Sequence, residues 1–172
     1  MKKVILLGYM GSGKSTVAKL LSEKRKLPHF DLDHLIEEKA NLTVKEIFDE
    51  KGEIYFRKLE HEIFHELMAN DQQMIISLGG GTPCYANNHL LLTGKNVASF
   101  YLKASIDELY ERLTDEKHHR PLISNAQPDE MKEFIGKHLF ERSYYYNQAT
   151  HAIAVDRQTP QQVVEAVENK LI

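Results

Sequence analysis

The sequence has one cysteine, Cys84, no excess of positive charge and no long hydrophobic run. A single thiol excludes an intrachain disulfide framework and is typical of a reducing compartment. The net charge of -3 and the pI near 6.3 argue against nucleic-acid binding, which normally depends on a basic surface. No stretch approaches the roughly 18 consecutive apolar residues of a membrane-spanning helix, so no membrane association is predicted.

The amino-terminal segment resembles a signal peptide only superficially. Its apolar run, Val4 to Leu7, is too short for the hydrophobic part of such a peptide and ends in a glycine-rich loop. We therefore expect a cytoplasmic protein. Of the 172 residues 42% are hydrophobic and 27% charged, so we expect a single globular domain covering residues 1–172.

Short apolar runs alternate with helical patterns from one end of the chain to the other, without internal repeats. This alternation predicts an α/β fold with a mostly parallel sheet covered by helices on both faces. Predicted helix starts carry capping signals. The predicted strands are residues 4–7, 28–31, 74–78, 97–102 and 152–155, and the capping pairs are Thr43 with Glu46, Ser105 with Glu108 and Thr159 with Pro160.

One segment, DEKHHRPLISNAQPD at residues 115–129, is polar and lacks an apolar rhythm. Such a stretch between helical patterns is the natural candidate for a mobile loop or lid.

The segment GYMGSGKST, residues 8–16, matches the phosphate-binding pattern G-x-x-x-x-G-K-[S/T] in full, with a strand before it and a helical pattern after it. Its glycines allow backbone amides to point at phosphate oxygens at a helix N-terminus. Lys14 would neutralise the β- and γ-phosphates, and the Ser15 hydroxyl would ligate Mg²⁺. The residues of this segment predicted to bind ATP are Gly11, Ser12, Gly13, Lys14, Ser15 and Thr16.

Paired carboxylates follow the second predicted strand in the segment FDLDHL. Asp31 and Asp33 are two residues apart, and strand alternation would place them on the same face. Such a pair beside ATP suits two roles, holding the water shell of Mg²⁺, for which Asp31 is the candidate, and orienting an attacking hydroxyl. The alternative is that Asp33 caps the following helix.

Two arginines are candidates for binding an anionic substrate. Arg57 shares a helix face with Glu60 and could bind a carboxylate through two parallel hydrogen bonds, although a surface salt bridge is the alternative. Arg142 precedes the tyrosines 144–146, which are predicted to pack their helix against the last strand. Three consecutive glycines, residues 79–81, follow an apolar strand and indicate that something closely approaches bare backbone.

One motif points to a different class. The segment HEIFH, residues 61–65, matches the zinc-peptidase pattern H-E-x-x-H. Both histidines would lie opposite the apolar stripe of their helix and face solvent, and the further ligand segment of such peptidases is missing, so this interpretation is disfavoured.

Taken together, the phosphate-binding loop, D-x-D, FRKLE, LGGGT, HHRPL and ERSYYY resemble bacterial shikimate kinase, in order and over essentially the whole chain. The resemblance implies phosphorylation of the 3-hydroxyl of shikimate by ATP with Mg²⁺. It also implies a three-layer P-loop NTPase fold of the nucleoside-monophosphate-kinase type, with a five-stranded parallel sheet. A mobile lid at about residues 114–128 and a substrate-binding helical region at about residues 33–61 complete the implied architecture.

The resemblance also implies roles for individual residues. Shikimate would be bound by Asp33, Arg57, Arg142 and the backbone of Gly79, Gly80 and Gly81, with Asp33 positioning the attacking hydroxyl. Arg120 would be the lid arginine that reaches the phosphates, and Arg112 and Pro160 would enclose the adenine, with Gln158 nearby.

The chain departs from the family pattern at two positions. Leu78 replaces the usual threonine before the glycines, while Ser77, which can assist the Mg²⁺ shell, is retained. Gln158 stands where an arginine is often found near adenine, with Arg157 beside it.

Two alternatives within the nucleotide-binding class fit the sequence less well. A GTPase would need a guanine-reading N-K-x-D segment, which we do not find. Another small-molecule kinase, such as a gluconate kinase, shares the phosphate-binding loop but would lack the triple glycine together with the two arginines. We expect a monomer, because no long apolar helix face is left unaccounted for.

Overall fold

A computed structural model of the protein describes residues 3–115 and 127–172. Five strands alternate with helices in these residues, as expected. The strands are β1 (Lys3–Leu7), β2 (His29–Asp31), β3 (Met74–Ser77), β4 (Val97–Lys103) and β5 (His151–Ala154). The helices are α1 (Lys14–Arg25), α2 (Leu32–Ala40), α3 (Val44–Glu50), α4 (Glu53–Ala69), α5 (Ile106–Asp115), α6 (Pro128–Tyr146) and α7 (Pro160–Lys170), with short 3₁₀ turns at Thr82–Cys84 and Asn88–Leu92.

The strands form one parallel sheet in the order β2-β3-β1-β4-β5, flanked by helices. β1 lies at its centre, and all of its residues are buried, which explains its nearly continuous apolar sequence. The predicted fold class is therefore confirmed. No helix in the described parts of the chain is long and apolar enough to cross a membrane.

The topology brings three of the predicted site segments together. Leu6 of β1 is paired with Ser77 of β3, and Ser77 is paired with Asp31 of β2. The backbone amide of Leu78 continues this ladder by donating to the Leu6 carbonyl at 3.0 Å. Because the strands are parallel, the loops that follow β1, β2 and β3 leave the sheet at the same edge, where α/β proteins bind ligands.

Helix capping follows the sequence closely, with one exception. Thr43 and Thr159 both form complete capping boxes, the second with Gln162. Ser105 accepts a hydrogen bond from the Glu108 amide at 3.1 Å, but its own amide donates to Asp156. The Ser105 box is therefore only half formed, which leaves the Glu108 carboxylate available for another partner.

Candidate active site

A cleft of about 670 Å³ opens at the carboxyl edge of β1 and β3. Every predicted ATP-binding residue that the structure describes lines it, and so do both aspartates of the D-x-D pair. Arg57, Gly81 and Arg142 lie beside the cleft rather than in its lining. The lining residues include Gly11, Ser12, Gly13, Lys14, Ser15, Thr16, Asp31, Asp33, Gly79, Gly80, Arg112, Gln158 and Pro160.

The phosphate-binding loop wraps around the start of α1. Gly13, the N-cap residue, has a φ of 96°, a left-handed conformation that favours glycine. The Lys14 ammonium donates to the carbonyls of Gly8 at 2.6 Å and Tyr9 at 3.0 Å, so its charge is held over the loop. The loop thus presents a helix N-terminus and a fixed cation to the cleft, the arrangement that suits a polyphosphate.

Ser15 and Asp31 form the polar pair at the mouth of this loop. The Ser15 hydroxyl donates to Asp31 Oδ2 at 3.0 Å. The other carboxylate oxygen of Asp31 accepts the His34 amide at 3.2 Å and so caps α2. The alternative interpretation, in which Asp33 caps this helix, is therefore wrong, since Asp31 is the capping residue.

Asp33 reaches the cleft from a helix rather than from a strand. β2 ends at Asp31 and α2 begins at Leu32, so the expected strand alternation of the two aspartates is wrong. Burial, followed by the negative charges of Asp31 and Glu60, raises the pKa of Asp33 to about 6, with Lys14 opposing the shift. A carboxylate with this pKa is poised to accept a proton near neutral pH.

Arg57 joins a buried network in addition to the ion pair that its Nε makes with the exposed Glu53 at 3.7 Å. Its Nη1 donates to Glu60 Oε1 at 2.9 Å, and the Glu60 carboxylate is only 1% exposed. The Thr82 hydroxyl donates to the other Glu60 oxygen at 2.8 Å, and the Tyr85 ring lies 3.8 Å from the guanidinium carbon of Arg57. These contacts hold the guanidinium in one orientation, and the buried Glu60 carboxylate is neutralised by its pairing with Arg57.

Arg142 lies on α6 between the phosphate-binding loop and the glycines. Its guanidinium carbon is 5.5 Å from the centre of the Tyr9 ring, and Nη1 is 3.4 Å from the Tyr146 hydroxyl. Tyr146 in turn donates to the Gly80 carbonyl at 2.6 Å. Tyr146, the last residue of the tyrosine run, is buried and packs on Tyr101 of β4, the strand that pairs with β5.

The three glycines lie against the side chains of the predicted substrate residues. A β-carbon would be 2.7 Å from Asp33 Oδ1 at Gly79, 3.1 Å from Arg142 Nη1 at Gly80 and 2.8 Å from Arg57 Nη2 at Gly81. The close approach expected from the sequence is therefore present, and it involves the protein's own charged groups. At Gly80 the β-carbon would also stand 3.7 Å from the Gly8 carbonyl oxygen, so this loop adjoins the phosphate-binding loop.

Arg112 and Pro160 line the far end of the cleft. The Arg112 guanidinium donates to Glu108 at 2.9 Å, to the Gly11 carbonyl at 3.2 Å and to the Val155 carbonyl at 3.1 Å. Its plane is thus held beside the phosphate-binding loop. Arg120 and most of the predicted lid, residues 116–126, lie outside the described residues.

The sequence did not indicate a role for Glu60 beyond its pairing with Arg57, nor the hydrogen bond of Tyr146 to Gly80, nor any role for Thr82 or Tyr85. Thr82 directly follows the glycines and Tyr85 lies three residues further on, and this proximity is the local signal that could have identified them. Leu78, in place of the family threonine, is 2% exposed and joins the core. Burial raises the pKa of the half-buried Cys84 to about 11, which is consistent with a packed residue rather than a nucleophile.

The histidines of the HEIFH segment do not both face solvent. His65 is exposed, but His61 is half-buried and its Nδ1 lies 2.8 Å from Oδ1 of the buried Asn88. The prediction for His61 is therefore wrong, because the 3₁₀ turn at Asn88–Leu92 covers that side of α4. Within residues 3–115 and 127–172, no group of three or more histidine, cysteine or acidic side chains is arranged to hold a metal ion.

The fold and the phosphate-binding loop define a P-loop phosphotransferase, and two arginines, Arg57 and Arg142, lie beside its cleft. The sequence matches the family model for shikimate kinase over residues 10–172. The chain belongs to the shikimate kinase family, as the sequence motifs indicated. It is 59% identical to the shikimate kinase of Flavobacterium johnsoniae and 51% identical to that of Flavobacterium psychrophilum, over 97% of this chain and of each relative.

Solved structures agree with this assignment. The crystal structure of shikimate kinase from Bacteroides thetaiotaomicron aligns with a TM-score of 0.90 and 34% identity, covering 99% of this chain and 98% of that one. Shikimate kinase from Acinetobacter baumannii, solved in complex with shikimate, aligns with a TM-score of 0.87 and 26% identity, covering 99% and 93%. The expected kinase class and fold are therefore confirmed.

Proposed function

We propose that this protein transfers the γ-phosphoryl group of ATP to the 3-hydroxyl of shikimate. The observation that carries the proposal is the arrangement of Asp33, Arg142 and Arg57 against three consecutive glycines, beside the phosphate-binding loop. A small hydroxylated carboxylate needs planar donors at one end and a proton acceptor at the other. The two arginines and Asp33 supply these groups next to the nucleotide cleft.

The nucleotide would lie along the cleft. Lys14 and the amides of Gly11, Ser12, Gly13 and Ser15 would bind the phosphates, and the adjoining Thr16 lines the same end of the cleft. Arg112 and Pro160 would enclose the adenine, with Gln158 beside them. Arg120 remains the proposed lid arginine, which would stabilise charge on the transferring group.

Mg²⁺ is the proposed metal, and the donor set fits it. Ser15 and Asp31 offer hard oxygen ligands at the phosphate end of the cleft, and the buried Ser77 hydroxyl close by has no hydrogen-bond partner in the described residues. When bound, the ion would neutralise charge on the phosphates. Ser15 would ligate it directly, while Asp31 would hold its water shell.

At the acceptor side, Arg57 and Arg142 would bind the carboxylate of shikimate. The attacking hydroxyl would lie against Asp33, whose carboxylate orients it and accepts its proton as the bond to phosphorus forms. Because no covalent intermediate is needed, catalysis would rest on positioning and on charge neutralisation. The backbone of the glycine loop would close over one face of the ring.

The test is a coupled ADP-release assay with shikimate and gluconate in parallel, followed by NMR of the product to locate the phosphate. We expect activity with shikimate and phosphate on the 3-hydroxyl. Lys14→Ala should abolish turnover, while Lys19→Ala, which alters an exposed lysine of the same helix, should leave it unchanged. Activity with gluconate alone, or phosphate on another hydroxyl, would contradict the proposal.

We further propose that residues 1–172 act as one domain, in a cytoplasmic monomer, with a lid at about residues 114–128 that closes over the phosphates. Light scattering during size-exclusion chromatography tests the oligomeric state. A mass near twice the 19.9 kDa of the chain would contradict the monomer.

A further inference from the structure

Helix α6 presents three side chains to the active site at intervals of four residues. Nδ1 of His138 lies 2.8 Å from the hydroxyl of Tyr9, a residue of the phosphate-binding loop. Arg142 lies over the Tyr9 ring, and Tyr146 donates to the Gly80 carbonyl. Since residues four apart share a helix face, one face of α6 contacts both the nucleotide loop and the glycine loop.

Tyr146 is the only member of this stripe that contacts both a predicted substrate arginine and the glycine backbone. Its hydroxyl donates its proton to Gly80 at 2.6 Å and has its acceptor side towards Arg142 Nη1 at 3.4 Å. Burial raises its pKa, so the hydroxyl keeps the proton that it donates. Its ring is fully buried and lies 5.0 Å from the ring of Tyr101, so the position of the hydroxyl is determined by the core.

Gly80 and Arg142 also constrain each other directly. A β-carbon on Gly80 would stand 3.1 Å from Arg142 Nη1, so the guanidinium lies against this peptide with almost no space between them. A rotation of the Gly80 peptide would therefore move the surface on which Arg142 rests. The Tyr146 hydroxyl fixes the carbonyl end of that peptide.

We propose that Tyr146 is a positioning residue that holds the Arg142 guanidinium and the Gly80 peptide in the geometry required to bind the substrate carboxylate. It acts through Arg142 and does not itself touch the substrate. The inference rests on the proposed function, because it assumes that Arg142 binds the carboxylate of shikimate.

The test compares Tyr146→Phe with Tyr144→Phe. The first change removes the hydroxyl and keeps the ring in the core. The second makes the same chemical change on the same helix, at a side chain that is 65% exposed and whose hydroxyl makes no hydrogen bond in the described residues. We expect Tyr146→Phe to raise the KM for shikimate about three- to tenfold, with the KM for ATP and kcat changed less than twofold, and Tyr144→Phe to match the parent protein.

The methyl ester of shikimate separates positioning from a general structural effect. If Tyr146 acts through Arg142 on the charged carboxylate, Tyr146→Phe should weaken shikimate binding, measured by calorimetry, but change ester binding less than twofold. Equal weakening of shikimate and ester binding would overturn the proposal. An equal rise in the KM for shikimate and the KM for ATP would do the same. Replacement of Tyr146 by 4-aminophenylalanine, which retains a donor for Gly80, should restore most of the shikimate affinity.

The outcomes distinguish this inference from the proposed function. No phosphorylation of shikimate by the parent protein would contradict the proposed function. A parent protein active on shikimate, together with a folded Tyr146→Phe variant of unchanged KM, would contradict only the positioning role. If Tyr146→Phe does not fold, the 4-aminophenylalanine protein carries the test, and a more than tenfold rise in its shikimate KM would overturn the role assigned to the hydrogen bond to Gly80.

Discussion

A β-carbon on Gly81 would stand 2.8 Å from Nη2 and 2.9 Å from Nη1 of Arg57. The guanidinium is held from the other side by the buried Glu60 carboxylate, which also accepts the Thr82 hydroxyl. A shift of Arg57 away from Gly81 would therefore disturb its hydrogen bond to Glu60, and a glycine at this position leaves the guanidinium where it is. The same relationship recurs between Gly79 and Asp33, so the glycine loop and the acceptor groups depend on each other.

Gly81→Ala should displace the Arg57 guanidinium, because a contact of 2.8 Å is shorter than carbon atoms tolerate and Glu60 limits the retreat. We expect the KM for shikimate to rise by about tenfold or more, with the KM for ATP changed less than twofold. Gly94→Ala is the matched control, since a β-carbon there meets nothing nearer than 3.6 Å. Steady-state kinetics of both variants test this, and normal shikimate affinity in Gly81→Ala would show that Arg57 is not constrained as described.

Much of the architecture could be predicted because it depends on local sequence. Continuous apolar runs identify buried parallel strands, and the phosphate-binding loop has a fixed order of glycines, lysine and serine. The prediction that Asp33 lies on a strand is wrong because a spacing of two residues between aspartates fits a strand as well as a first helical turn. Only the three-residue length of β2 and the cap formed by Asp31 decide between them.

The contacts that hold the predicted substrate-binding residues in place could not be predicted from periodicity. Tyr146 meets Gly80 across 66 residues of sequence, and Thr82 meets Glu60 across 22. A helical pattern indicates which residues share a face, but it does not identify the element that this face will meet. His61 illustrates the same limit, since the 3₁₀ turn that covers it lies 27 residues further along the chain.

Activity should decline as the pH falls below about 6. Burial and neighbouring carboxylates raise the pKa of Asp33 to about 6, so its carboxyl is protonated below that pH and cannot accept the hydroxyl proton. The pH profile of kcat/KM for shikimate should therefore show an acidic limb with a midpoint near pH 6. The experiment is a series of assays from pH 5 to 8, with stability checked at each pH, and a profile that stays flat down to pH 5 would exclude Asp33 as the proton acceptor.

Removing the Ser15 hydroxyl should weaken the use of the metal nucleotide. Ser15→Ala loses both the proposed Mg²⁺ ligand and the hydrogen bond to Asp31, and we expect kcat/KM for MgATP to fall by about two orders of magnitude. Ser15→Thr keeps a hydroxyl at the same place and is the control, which should retain most of the activity. In Mg²⁺ titrations, the concentration needed for half-maximal activity should rise for Ser15→Ala but not for Ser15→Thr. The same Mg²⁺ requirement in both variants would argue against Ser15 as a ligand.

Asp33→Asn should make the protein inactive and more stable at the same time. The pKa of Asp33 in the folded protein lies above its ordinary value. Its contribution to stability is therefore fully present below about pH 4 and is lost as the pH rises through about 6. At pH 8 the parent protein holds a carboxylate that Asp31 and Glu60 repel, whereas the neutral amide removes this cost. We expect the free energy of unfolding at pH 8 to rise by about 1–3 kcal/mol, measured by urea denaturation.

The matched control for this change is Asp49→Asn, which neutralises an exposed carboxylate on α3 and should alter stability by less than about 0.5 kcal/mol. The gain in Asp33→Asn should also shrink when the pH is lowered from 8 to 5, because the parent carboxyl then becomes protonated as well. A destabilised Asp33→Asn protein at pH 8 would mean that hydrogen bonds to the carboxylate outweigh the repulsion, and that the raised pKa does not describe this site. A gain in stability combined with lost turnover would show that the site retains an unfavourable charge because the transfer reaction requires it.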